Sequence, residues 1–231
     1  MKFVFSPPPL PSVPVADSTE RFPVHRIYCV GRNYAEHAIE MGWTGREPPF
    51  FFAKPADAVL PVEENETGEM PYPPMTSDLH HEIELVVAIG KAGTNIPLHQ
   101  ALDHVWGYAI GLDMTRRDLQ TDAKKAGRPW STAKGFDLSA PISRIYPASM
   151  VGHIAQGRIH LDVNGEQRQA SDVGKLTWSV AEIVAYLSKY FTLRPGDLIF
   201  TGTPEGVGPV RRGDILEGGI EGLGSLRVSI T

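Results

Sequence analysis

HEIELVVAIG, residues 81–90, is the stretch on which the reading of the fold turns. From Leu85 to Ile89 every residue is apolar. A run this short and this continuously apolar reads as a strand buried on both faces. On a strand, residues two apart share a face, so Glu82 and Glu84 point one way and Ile83 and Leu85 the other. Two carboxylates at the mouth of a buried strand repel each other, and a divalent cation would relieve that repulsion. Oxygen-only ligands suit Mg2+, Mn2+ or Ca2+ better than zinc. Taken by itself, an E-x-E pair reads first as a solvated edge that carries two acids.

A second apolar run, VWGYAIGLD at 105–113, ends in Asp113. Were the two runs neighbours in one sheet, three carboxylates would meet. The sequence does not say whether they pair, and Asp113 also suits the N-cap of a helix predicted over 115–125. Working outward, VHRIYCV at 24–30 predicts a strand, 35–41 a short helix and 48–54 an aromatic strand. Residues 62–79 read as a long polar loop and 98–104 as a helix. Asn164-Gly165 between two alternating runs is a hairpin signal, because both residues tolerate positive φ. Residues 177–190 have helical spacing, with Val180, Ile183, Val184 and Leu187 on one face. A strand at 198–200 leads into TGTPEGVGP, 201–209, a glycine-rich loop that lacks the Gly-Lys-Ser/Thr of a phosphate-binding loop.

Regular βαβ alternation is absent, which argues against a dinucleotide-binding sheet. The expected fold class is mixed α/β, dominated by strands, with a few short helices. Residues 1–23 hold six prolines and read as an irregular arm. Residues 24–231 read as a single domain. The chain has 231 residues and a net charge of −5, with no run of Lys and Arg, so nucleic acid is not an expected partner. Its one cysteine, Cys29, excludes an internal disulfide and a cysteine-held zinc, and is expected to be a buried structural thiol. No stretch approaches the ~18 apolar residues that span a membrane. A cytoplasmic protein is therefore expected.

Other residues carry candidate chemistry. His37 and Glu40, three apart on the short predicted helix, would be neighbours on its surface. A carboxylate beside an imidazole suits a general base that activates water, and the plainer reading is a solvated helix face. Lys134 stands among small and aromatic residues, either as an anion holder or as a surface lysine. The 201–209 loop offers Thr203 and backbone donors to a ligand, or is a tight connection. His80 and His81 flank the carboxylate strand and are assigned no ligand role.

Together these segments resemble the fumarylacetoacetate hydrolase family. The resemblance is carried in order by VGRNYAEHAIEMG (30–42), FFAKPADAV (51–59), HHEIELVVAIGK (80–91), GYAIGLDMTRRDLQ (107–120), GRPWSTAKGFD (127–137) and RPGDLIFTGTPEGVGPV (194–210). It implies a mixed β-sandwich roll, usually a homodimer. It implies an Mg2+ or Mn2+ site at Glu82, Glu84 and Asp113, and a lid that orders on ligand binding and carries His37 and Glu40. It places Lys134 among the catalytic residues, and Arg117, Gln120 and Thr203 around the substrate. Within the family, the proline-rich start, residues 21–38 and residues 72–91 are most similar to the branch that hydrolyses fumarylpyruvate in gentisate breakdown.

The implied activity is metal-dependent cleavage of the C–C bond in a 2,4-diketo acid. Acylpyruvate hydrolysis and oxaloacetate decarboxylation are the implied alternatives on the same site. A hydratase, an isomerase and a non-catalytic binding protein are further ones. Which arginine would read the far carboxylate of a fumaryl group stays open among Arg32, Arg46, Arg116 and Arg128.

Overall fold

The computed structural model describes residues 2–34 and 47–231. The short helix expected over 35–41, with His37 and Glu40, lies outside the described residues.

The sheet that positions the site runs in the order Phe50–Lys54, Arg26–Gly31, Asp197–Phe200, Ile83–Ile89, Val105–Leu112, Ala140–Ile142, Val59–Pro61. Tyr146–Pro147 also pairs with Val105–Leu112. Ile83–Ile89 lies at the centre and is buried at every position, as a continuously apolar strand must be. One face, carrying Ile83, Leu85, Val87 and Ile89, packs against a second sheet and the helix Val180–Leu187. That second sheet has the order Glu166–Asp172, Arg158–Val163, Ile215–Ile220, Ser225–Ile230, Gly68–Met70. The opposite face, carrying Val86 and Ala88, packs under a hairpin of Ser12–Pro14 and Arg21–Pro23. Val13 and Phe22 of that hairpin are buried there. Mixed, strand-dominated layering of this kind is the expected fold class.

The strand expected over 81–90 is two strands. Leu79–His81 joins a small sheet with Thr115–Arg116 and Gly208–Val210, and Ile83–Ile89 begins after a break at Glu82. The chain changes sheets there because the Glu82 carbonyl accepts from the Asp113 amide (2.9 Å), while its side chain turns to cations. The polar loop at 62–79 contains a strand, Gly68–Met70, fixed by parallel pairing to Ser225–Ile230 and by burial of Met70. Residues Leu98–His104 form a 3-10 helix. The helix expected from 115 starts at Arg117 and ends at Lys125, its first two residues being strand.

Local chemistry accounts for the elements that match their patterns. Asn164 and Gly165 have φ of 54° and 77°, and they close the hairpin of Arg158–Val163 and Glu166–Asp172. Helix Val180–Leu187 buries the four residues of its apolar face. Ser179 and Glu182 form a reciprocal capping box at its start. Among the described residues, no helix is long and apolar enough to cross a membrane.

Replacing Ser179 by Ala removes the side-chain acceptor from this cap. The expected loss is about 1 kcal/mol in urea unfolding, with an unchanged denaturant slope. An unchanged midpoint would show that tertiary packing alone holds the helix start.

Candidate active site

Antiparallel register builds the site. Ile83 faces Leu112 and Glu84 faces Gly111, so Glu82 and Asp113 meet where the two strands end. Carboxylate oxygens of Glu82, Glu84 and Asp113 lie within 4.8 Å of one another, and all three residues are buried. Asp113 is not a helix cap, because the residue before the helix is Arg116 and it makes no side-chain cap.

Three cations answer these acids, but unevenly. The Lys134 ammonium donates to Glu82 Oε2 (2.8 Å) and Asp113 Oδ2 (2.6 Å). Arg117 donates to Glu82 Oε1 through Nη2 and to Gln120 Oε1 through Nη1 (2.6 Å). Lys54, itself fully buried, sits 2.8 Å from Asp113 Oδ1. That contact lacks hydrogen-bond alignment, because Lys54 donates instead to the carbonyls of Met114, Lys134 and Ser139. Asp113 Oδ1 is thus a buried oxygen with an ionic neighbour and no hydrogen bond. Glu84 has no ion pair among the described residues, and its Oε2 accepts only from the Gly202 amide (2.7 Å). Gly202 has φ of 104°, and a Cβ there would come within 2.7 Å of Asn33, so the amide reaches Glu84 only because the residue is glycine.

The charge states follow. Burial disfavours ionised Glu82, but Lys134 and Arg117 outweigh it and hold the carboxyl well below the usual carboxylate range. Burial, joined by the charges of Asp113 and Glu82, pushes the Glu84 carboxyl well above that range. Burial pulls the Lys134 ammonium down, and Asp113 and Glu82 more than restore it. An uncompensated buried carboxylate, beside an aspartate oxygen without a hydrogen bond, fits a hard divalent cation. The donor set is oxygen only, as Mg2+, Mn2+ or Ca2+ prefers and zinc does not.

These residues open onto a cleft. Glu82, Glu84, Asp113 and Lys134 line it together with Arg117, Gln120 and Thr203. Thr203 Oγ1 accepts from Gln169 Nε2 (2.8 Å), which fixes the loop against the second sheet. His80 and His81 take other partners, Asp78 (2.9 Å) and Gln169 (2.9 Å). Cys29 is fully buried. Sequence reasoning missed Lys54, whose one signal was a charge closing the aromatic run FFFAK. It also missed Lys124, Phe50, Phe52 and Trp130, which wall the cleft and look like ordinary surface or core residues in sequence.

A divalent cation should stabilise the fold through these carboxylates. Mn2+ at about 100 times its dissociation constant should add ~2.7 kcal/mol and raise the melting temperature accordingly. Glu84→Gln should abolish most of that rise, and an equal rise in both proteins would place the ion elsewhere.

His81 gives a pH signature. Burial, the largest effect, lowers its pKa to about 4 against the Gln169 hydrogen bond. The folded value lies below the unfolded ~6.5, so its contribution is complete above ~6.5 and lost as pH falls towards 4. Urea unfolding should show the parent losing up to about 3 kcal/mol more than His81→Gln over that window. Parallel losses would mean that the imidazole is not held neutral.

Comparison with known proteins accords with this geometry. The family model described as fumarylacetoacetate (FAA) hydrolase, C-terminal, matches residues 26–231. The mitochondrial oxaloacetate tautomerase FAHD1 of Mus musculus is 45% identical over 204 residues, 88% of this chain and 90% of that protein. A fumarylpyruvate hydrolase of Ralstonia sp is 48% identical over 184 residues, 80% of this chain and 93% of that protein. The crystal structure of fumarylpyruvate hydrolase from Pseudomonas aeruginosa, in complex with Mn2+ and pyruvate, is 59% identical. It superposes with a TM-score of 0.98 over 100% of this chain and 99% of that one. With the match spanning nearly the whole chain, the protein belongs to the fumarylacetoacetate hydrolase family.

Proposed function

We propose that this protein is a metal-dependent hydrolase that cleaves the C–C bond of a 2,4-diketo acid, namely fumarylpyruvate, to give fumarate and pyruvate. The observation that carries the reading is the buried carboxylate triad, with Glu84 uncompensated, opening into a cleft that also presents Lys134 and Arg117. Support also comes from the 59% identity to a fumarylpyruvate hydrolase whose structure holds Mn2+ and pyruvate.

Glu82, Glu84 and Asp113 would hold the ion, either Mg2+ or Mn2+. When bound, it supplies positive charge to the carboxylate and keto oxygens at the pyruvate end of the substrate. Lys134 and Arg117 lie against the same acids and would orient that end, with Gln120 steadying the Arg117 guanidinium. Thr203 would border it from the loop. His37, oriented by Glu40, would take a proton from water, and the hydroxide would attack the C4 carbonyl. The C3–C4 bond breaks, its electron pair passes into the three-carbon fragment, and a proton at C3 completes pyruvate. The C4 side leaves as fumarate.

A second reading is favoured by the 45% identity to an oxaloacetate tautomerase. There the same end of the cleft would serve proton transfer or decarboxylation on oxaloacetate, and no water would attack. The wider assignment is a catalytic unit at 24–231 behind the 1–23 arm. It would act as a cytoplasmic homodimer on the ring-opened products of gentisate-type aromatic breakdown. The family resemblance supports that assignment.

The test follows the ultraviolet absorbance of fumarylpyruvate with purified protein and identifies the products. The expected outcome is decay that EDTA abolishes and Mg2+ or Mn2+ restores, with pyruvate and fumarate formed in equal amounts. His37→Ala and Glu40→Gln should lower kcat by about 10²–10⁴-fold while leaving metal binding intact. Turnover of oxaloacetate without any cleavage of acylpyruvates would overturn the hydrolase reading in favour of the second.

A further inference from the structure

The cleft has two ends. At its inner end, the acids and their cations are mutually engaged. Its outer part is reached across a wall of aromatic rings. The Lys134 ammonium lies 5.1 Å from the Phe52 ring, and Phe52 meets Trp130 edge-on at 5.6 Å. Trp130 meets Phe50 edge-on at 5.6 Å. On this wall stand two further cations. The Lys124 ammonium lies 5.1 Å over Trp130, and the Arg32 guanidinium lies 5.6 Å over Phe50. Both line the same cleft as the carboxylates.

We propose that Lys124, together with Arg32, reads the distal carboxylate of a dianionic acylpyruvate and so sets the enzyme's preference among acyl groups. This inference rests on the hydrolase reading above. The inner cations already serve the first carboxylate of a diketo acid, so Lys124, a further cation on the aromatic wall of the same cleft, calls for a second anionic group. The flat faces of Phe52 and Trp130 suit a planar conjugated acyl chain lying between the two ends. Among the described residues no carboxylate pairs with Lys124, and its half-buried ammonium is pulled down to about 8 by burial, then by Arg117 and Arg32. An arriving carboxylate would relieve that repulsion.

The remaining arginines are placed elsewhere. The Arg116 guanidinium lies 4.5 Å over Phe136 and donates to the Thr132 carbonyl, outside the cleft. Arg128 does not line the cleft but a neighbouring hollow that shares Phe50, Phe52 and Trp130 with it. Arg46 lies outside the described residues.

A structural role for Lys124 also exists, since it closes the last turn of helix Arg117–Lys125, where a cation is favourable. The two roles separate by substrate. Steady-state kinetics would compare Lys124→Met and Lys124→Arg with the parent on fumarylpyruvate and on acetylpyruvate, which lacks the second carboxylate. The expected result for Lys124→Met is a fall of about 10–100-fold in the ratio of kcat/KM for fumarylpyruvate over acetylpyruvate, carried mainly by KM. Lys124→Arg should keep most of the ratio.

An unchanged ratio in Lys124→Met, whether both substrates suffer or neither does, would overturn the proposal. If Lys124→Met does not fold, competitive inhibition of acetylpyruvate turnover by fumarate in the parent decides. Inhibition by fumarate but not by its uncharged diamide supports the anion subsite, and equal inhibition by both overturns it. Should the parent cleave neither acylpyruvate, the hydrolase reading itself fails and the subsite falls with it.

Discussion

Three carboxylates forced together at the ends of two paired strands are the constraint around which the rest of this structure is arranged. Register places Glu82 opposite Asp113, and the pleat puts Glu84 on the buried face that continues as Val86 and Ala88. Ionised groups so placed would be prohibitive without partners. The partners come from distant segments: Lys54 from an aromatic strand, Arg117 from the start of a helix, Lys134 from a short helical turn. The Gly202 amide comes from the loop beyond the strand Asp197–Phe200. These segments can satisfy the acids only together, once the sheets have packed. Buried ion pairs are about neutral for stability when complete and costly when broken. Their presence here is therefore better explained by chemistry than by strength.

The pairing is incomplete in one place, and that incompleteness gives the site its character. Among the described residues, Glu82 and Asp113 each have cations, whereas Glu84 has a single amide and Asp113 keeps one oxygen without a hydrogen bond. A hard cation would complete this set and would share the acids with Lys134. Function resides in sites grafted onto folds, and similar folds host several reactions. The relatives named a tautomerase and a hydrolase illustrate this. An electrophilic pocket for a 2-keto acid can serve proton transfer as well as C–C cleavage. On the proposal made above, the choice among acyl groups would be set beyond that pocket, along the aromatic wall and its cations.

Much of this was legible in the sequence. The continuous apolar run at 85–89, the Asn164-Gly165 turn and the helical face of Val180, Ile183, Val184 and Leu187 are local signals, and each forms the element it predicts. Local signals failed where a neighbour decided the outcome. Glu82 breaks a strand that its composition would continue, because the amide of Asp113 and two cations claim it. Met70 sits in a strand inside a polar stretch, because Ser225–Ile230 offers it an edge.

Residue types and spacing by themselves determined that acids stand at the mouth of a buried strand and that no cysteine could bind metal. The ordered motifs pointed to the family. Only the tertiary structure decided that Asp113 joins Glu82 and Glu84 rather than capping a helix. It also brought Lys54 against them, and it left Arg32 and Lys124 lining the cleft, with Arg116 over Phe136 and Arg128 in the neighbouring hollow. The physical reason is range. Alternation, turn chemistry and helical spacing act over a few residues and are written in the chain. Register and charge pairing join residues tens of positions apart, and they exist only once the sheets have packed.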